Sequence, residues 1–236
     1  MFIFLRGFVG RLIKEKWLIK PFVFFNFIDG LQKEIFLFKA VNYIFVAGNR
    51  GEKLPLVFFE FGCHSGRTFS VLHNSFSYFG KRFSGYAFDS FKGLPSTSSH
   101  DGIFEEGEYS TSRSEFERII RKKTGSKLGN VSIIEGFYAD SLTEDLQANL
   151  PDVGLVHIDV DLYSSCASVL NFVEPKLCHG SVVLFDDWYT FLGGDSGGEA
   201  LALADFESSD RRVKFKPWCN YGAHGKAFFV VVDEKD

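Results

Sequence analysis

Cysteine is scarce and scattered: Cys63, Cys166, Cys178 and Cys219 are the only four in 236 residues, and no two form a C-x-x-C pair. Such spacing supports neither a zinc ribbon nor a dithiol redox motif, and a reducing cytoplasm is the expected setting. Long apolar runs are also missing. Residues 1–47 are crowded with Phe, Ile, Leu and Val, but charges interrupt them too often for the ~20 consecutive apolar residues of a membrane span. No apolar core followed by a small-residue cleavage site is present, so a secretory signal is not expected. Basic charge is not in excess. The net charge of −4 and a pI near 5.9 argue against a general nucleic-acid binder. The Gly-Lys-Ser/Thr ending of a phosphate-binding loop is absent, as are internal repeats.

The length, with 45% hydrophobic residues, suits one large α/β domain. Charge is divided unevenly along it: residues 1–50 carry eight Lys/Arg against three Asp/Glu. Within that segment Leu5, Phe8, Val9, Leu12, Ile13 and Trp17 recur at helical spacing, with Arg6, Arg11, Lys14 and Lys16 largely on the remaining face. An amphipathic helix there would pack on the domain, on a second subunit or on a membrane surface. Helical periodicity continues over residues 22–46, up to a Gly48-Asn49-Arg50-Gly51 turn.

Two short apolar runs stand out because each stops abruptly at acids. Residues 154–158 lead into Asp159-Val160-Asp161, and residues 181–185 into Asp186-Asp187. Continuous apolar runs suit strands covered on both faces of a parallel sheet, and the C-terminal ends of such strands are where open α/β sheets bind ligands. Converging carboxylates repel one another unless a cation or protons compensate them. A donor set of carboxylates alone points to Mg²⁺, Mn²⁺ or Ca²⁺ rather than zinc. Helix capping is the competing account for Asp161 and Asp187; Asp159 and Asp186 fit it less well, since each directly ends a strand.

Residues 54–59 read as a first core strand, followed by Glu60-Phe61-Gly62-Cys63-His64-Ser65-Gly66 and an apolar helix from Thr68 towards Phe76. Glycines permit a tight turn and close approach to a ligand, and the helix start offers free N–H groups. His64 offers a ligand or a base, but a single loop histidine is expected to be incidental. Residues 85–88 form the next strand and end in Asp89, which is placed to accept hydrogen bonds from ribose hydroxyls or to cap. Residues 95–114 are polar and turn-rich, as expected of a mobile lid. A helix at 115–121, a strand at 131–135, a glycine-rich loop at 193–198, a helix at 199–206 and a closing pair of edge strands at 213–215 and 227–232 complete the reading. About seven strands alternating with helices, followed by a final hairpin, are expected.

Taken in order, these segments resemble the macrocin O-methyltransferase-like family over roughly residues 57–232. The resemblance rests on Glu60-Phe61-Gly62 with Gly66, Phe88-Asp89-Ser90-Phe91-Lys92-Gly93-Leu94-Pro95, and Phe104 with Gly107 and Tyr109. It rests further on Glu135-Gly136-Phe137, on His157-Ile158-Asp159-Val160-Asp161-Leu162-Tyr163-Ser164 and on Asp186-Asp187. The family comprises S-adenosylmethionine-dependent, Mg²⁺-dependent class I methyltransferases of the kind that tailor antibiotic sugars. The resemblance implies a Rossmann-like α/β fold: a seven-stranded sheet with helices on both faces and an antiparallel C-terminal hairpin. It divides the chain into an N-terminal helical extension, 1–52, and a methyltransferase domain, 53–236.

The cofactor residues it implies are Glu60, Phe61, Gly62, Ser65, Gly66, Asp89, Ser90, Gly136 and Phe137. Gly62 and Gly66 would approach the methionine part, Asp89 would hold the ribose, and Gly136 and Phe137 would flank the adenine. Asp159, Asp186 and Asp187 would bind Mg²⁺, with Asp159 as general base towards a hydroxyl of a small molecule, a sugar or glycoside. A homo-oligomer is the expected assembly. This chain departs from the family at Val160, Trp188 and Cys63-His64-Ser65. Two other functions share some of these features: a metal-dependent nucleotide-sugar glycosyltransferase, which also uses D-x-D after a strand, and a non-catalytic methyltransferase-like interaction domain.

Overall fold

A computed structural model of the protein describes residues 21–49, 54–80, 82–96, 104–125, 128–191 and 196–232. The amphipathic helix expected at 5–17 lies outside them, as do residues 97–103 of the expected lid and 193–195 of the glycine loop. Among the described residues, no helix is long and apolar enough to cross a membrane.

The elements alternate as in an α/β domain. A long helix, α1 (Pro21–Asn49), precedes β1 (Val57–Phe61), α2 (Arg67–Tyr78), β2 (Ser84–Asp89), α3 (Arg113–Thr124) and β3 (Val131–Glu135). Two short helices, α4 (Tyr138–Ser141) and α5 (Glu144–Asn149), lead to β4 (Val153–Ile158), α6 (Tyr163–Val173) and β5 (Leu177–Phe185). The chain then forms α7 (Gly198–Glu207), β6 (Val213–Tyr221) and β7 (Gly225–Val232).

All seven strands lie in one sheet of order β3-β2-β1-β4-β5-β7-β6. The first five are parallel, and the chain steps outward from β1 to β3 before crossing back to place β4 beside β1. Strand order reverses at β1/β4, which opens a crevice at their C-terminal ends. The seven strands include the hairpin, so five rather than seven alternate with helices. Of the two strands expected at the edge only β6 is there; β7 pairs antiparallel with β5, with Val182 opposite Phe229. Burial explains the order. Ala227, Phe228 and Val230 of β7 are buried, whereas β6 exposes Lys214, Lys216 and Pro217, residues an open edge tolerates.

Alternation along each strand divides the core into two layers. Phe59, Phe61, Val156, Ile158 and Phe185 face α6 and α7, while Phe58, Leu155, Val182 and Leu184 share the opposite layer with α1, α2 and α3. Phenylalanine dominates both layers: Phe61 stacks on Phe88 with ring centroids 4.3 Å apart, and Phe58 on Phe76 at 5.3 Å. Each fully buried ring contributes roughly 1.5–3 kcal/mol. Helix α1 is integral to the second layer, burying Leu37, Ala40, Val41 and Ile44 and stacking Phe36 on Tyr221 at 4.8 Å. It is one unbroken helix from Pro21 to Asn49, which carries Lys33 over the sheet to the crevice.

The helix expected at 115–121 is longer because its ends are capped. The Ser112 hydroxyl accepts from the Glu115 N–H, and Gly125, at φ 63°, donates to the Arg121 carbonyl.

Candidate active site

A cavity of about 500 Å³ runs along the C-terminal ends of the parallel strands, within the range of small-molecule and cofactor sites. Backbone bonds carry the ladder one residue past several strands, so each acid is held where its strand stops. Asp159 N–H donates to Phe61 O, Asp186 N–H to Ile158 O, and Gly62 N–H to Phe88 O, at 2.9–3.0 Å.

The half of the cavity over β1, β2 and β3 is shaped by backbone. Gly62 has φ +80°, and a Cβ there would lie 1.6 Å from the Asp159 carbonyl oxygen, so glycine is required where β1 passes β4. Asp89 Oδ2 accepts from the N–H groups of Cys63 (2.7 Å) and His64 (2.8 Å), and Oδ1 from Phe91 N–H (2.6 Å). Three of its four lone-pair sites are thus engaged, and one remains for a ligand. The Ser90 hydroxyl shapes the next loop by donating to Gly93 O at 2.8 Å. Ser65, Ser90, Gly136 and Phe137 line the cavity as well. So does Glu60, which is 1% exposed; its Oε2 has no hydrogen-bond partner among the described residues, and burial raises its pKa well above the ordinary value.

Two of the expected cofactor residues stand behind this wall. Phe61 is fully buried on the α6/α7 side, where strand alternation sends it. Gly66, at φ +69°, caps α2 and faces Ile120 and Phe116, which a Cβ would meet at 2.6 and 2.9 Å. Unforeseen was the place of His64, which lines the cavity with its ring 6.1 Å from that of Tyr109 on the opposite rim. His64, Tyr109 and Asp161 all line the cavity with positive φ, a concentration of backbone strain typical of ligand sites.

The half over β4 and β5 is acidic. Asp159, Asp161 and Asp187 line it, and Asp186 lies just behind. Burial, reinforced by the Asp186 charge, raises the pKa of Asp159 well above the carboxylate range, and burial with Asp187 pushes Asp161 up to about 8. Asp187 is raised by burial and by Asp186. Asp186 is the exception: burial opposes its ionisation, but His157 and Lys33 hold its pKa below the usual range.

Three partners in this half went unrecognised in the sequence. Lys33 Nζ lies 2.5 Å from Asp186 Oδ2 and 3.8 Å from Asp159 Oδ2. His157 is fully buried, with Nε2 3.7 Å from Asp186 Oδ1, so a nitrogen belongs to a donor group expected to hold carboxylates alone. Asp159, Asp186 and His157 offer ligand atoms within 4.8 Å of one another, a grouping that could hold a metal ion. Glu199, fully buried at the start of α7, accepts from Asp187 N–H (2.9 Å) and Val160 N–H (3.3 Å), and so ties the two acidic loops together. The only sequence signal for these residues is polarity among apolar neighbours: a lysine on an apolar helix, a histidine inside a buried strand and a glutamate after glycines.

Comparison with known proteins agrees with the architecture. A family described as a methyltransferase domain matches residues 59–188. No curated protein matches the chain. Among solved structures, the O-methyltransferase NovP is 19% identical with a TM-score of 0.63, over 84% of this chain and 79% of that one. CalS11, a calicheamicin methyltransferase, is 18% identical with a TM-score of 0.62, over 81% and 77%. An O-methyltransferase from Bacillus cereus in complex with SAH is 13% identical with a TM-score of 0.51, over 94% and 96%. At these identities the likeness extends to the fold.

Proposed function

We propose, from the premise that this chain belongs to the methyltransferase-domain family, that it transfers the methyl group of S-adenosylmethionine to a hydroxyl of a small molecule, a sugar or glycoside. The observation carrying this reading is one continuous cavity with a backbone-shaped half at β1–β3, holding Glu60 and Asp89, and a half at β4–β5 crowded with aspartates. The first half suits the cofactor. The unpartnered Oε2 of Glu60 fits its ammonium group, the free lone pair of Asp89 fits a ribose hydroxyl, and Phe137 offers a ring to the adenine.

The second half suits the acceptor and a divalent cation. Its donors are mainly hard oxygens, and the Lys33 ammonium between Asp159 and Asp186 is a cation already standing among them. Asp159, Asp186 and Asp187 would hold Mg²⁺ there, which when bound lowers the pKa of a nearby hydroxyl. Asp159, which follows β4 and lines the acidic half, takes the proton. The acceptor oxygen bonds to the methyl carbon as the carbon–sulfur bond breaks, and the sulfonium becomes a neutral thioether. Holding oxygen, carbon and sulfur in line is the cavity's contribution, worth on the order of 7–11 kcal/mol in favourable cases. Tyr109 and its neighbours cover the rim against water.

Residues 53–236 are then the catalytic domain and 1–52 its extension, with α1 contributing Lys33 to the site. All four cysteines are free, in keeping with a cytoplasmic setting. Self-association or contact with a lipid surface is assigned to the basic segment 5–17. Calorimetric titration of S-adenosylmethionine and S-adenosylhomocysteine tests the central claim. Micromolar binding, weakened at least tenfold in Glu60→Gln, is the expected result (~1.4 kcal/mol per tenfold). Binding of a nucleotide sugar but of neither cofactor form would replace the reading with glycosyl transfer.

A further inference from the structure

Lys33 comes from α1, outside the residues matched by the family, and is brought to the acidic half by packing alone. Its Nζ lies between Asp186 Oδ2, at 2.5 Å, and Asp159 Oδ2, at 3.8 Å. Among the described residues, the charged or titratable groups facing it are Asp159, Asp186, the buried Glu60, Asp187 and, behind Asp186, His157. A hard divalent ion would draw on the oxygens of the same two carboxylates at roughly 2.0–2.6 Å. Two cations crowded onto those carboxylates oppose each other, because their charges repel and each contact made by one takes a lone pair from the other.

We propose that Lys33 is a tethered counter-ion which a divalent cation must displace, so that α1 and the metal compete for one position between Asp159 and Asp186. This rests on the reading of Asp159 and Asp186 as cation ligands. Lys33 keeps the two carboxylates together in the metal-free protein and sets the metal concentration at which the site fills. Its side chain is 23% exposed and lines the cavity, so the freed ammonium has a solvated place to go. The helix need not move.

Binding of Mn²⁺ to the full chain, followed by electron paramagnetic resonance without any acceptor, tests the competition. Lys33→Met is expected to bind Mn²⁺ roughly tenfold more tightly or better, within the usual range of coupling between sites, while Lys33→Arg, which keeps the charge, stays as weak as the parent. In the Lys33→Met background, Asp186→Asn abolishes the gain. Should Lys33→Met fold poorly, acylation of the parent protein gives the same answer: Mg²⁺ is expected to speed modification of Lys33, read by peptide mass spectrometry. Equal affinities in the parent and Lys33→Met, or acylation indifferent to Mg²⁺, would overturn the competition and leave the metal reading standing. No Mn²⁺ binding in any variant would remove the metal reading and the competition with it.

Discussion

The two halves of the cavity solve one problem in opposite ways. Over β1–β3 the decisive groups are held by the main chain: Asp89 is fixed by three backbone N–H groups, two of them from the turn that it closes. Over β4–β5 four aspartates crowd together, and side chains from distant elements hold them, Lys33 from α1 and Glu199 from α7. The first half is therefore built into its loops. The second is electrostatically unbalanced by itself and depends on tertiary partners, which makes it the half that responds to cations.

The most severe way to break the comparison is at its seam. Gly62→Ala puts a Cβ against Asp159 O at a left-handed φ, with no side chain to give way, so a loss of about 4 kcal/mol or more is expected in urea unfolding. Next comes Glu199→Leu, which strands the buried N–H groups of Val160 and Asp187. It should cost about 2–5 kcal/mol and weaken Mn²⁺ binding while leaving S-adenosylhomocysteine binding nearly intact, whereas Glu199→Gln retains one acceptor and loses less. Equal damage to both ligands would mean that the halves are not separable.

Asp89→Asn is the mirror experiment. An amide oxygen can accept at most two of the three N–H groups, so a loss of about 1–2 kcal/mol is expected. Cofactor affinity should fall at least tenfold while Mn²⁺ binding holds (~1.4 kcal/mol per tenfold).

The smallest effect concerns His73, buried on α2 against Phe83, whose pKa burial lowers from 6.5. A depressed pKa means that the folded protein holds the imidazole neutral. Its contribution is whole above 6.5 and is lost as pH falls through the folded value, so the melting temperature should drop between pH 7 and 5. His73→Phe should flatten that slope; an unchanged slope would assign the acid sensitivity elsewhere.

Sequence pattern located the parallel strands and their terminal acids because both are local. An apolar run ending in Asp159 or in Asp186-Asp187 announces a buried strand and its exit, and Gly62 followed by Gly66 announces a turn. The same locality misplaced β7: a final hairpin reads as an edge pair until β7 inserts beside β5. It also could not distinguish which residues near a glycine turn face a ligand. Glu60 and Phe61 are neighbours in sequence, yet alternation along β1 sends Glu60 to the cavity and Phe61 to the core.

By itself the sequence determined an α/β sheet, the acids at its C-terminal ends and the glycine turn, since these follow from hydrophobic period and backbone freedom within a few residues. Tertiary structure alone decided what balances the acids. Lys33 meets Asp186 across 153 positions and Glu199 meets Val160 across 39, pairings that no local pattern encodes. They exist because burial of α1 and α7 against the sheet carries one polar side chain from each to the acidic loops, Lys33 as a cation beside the carboxylates and Glu199 as a hydrogen-bonded brace for the backbone.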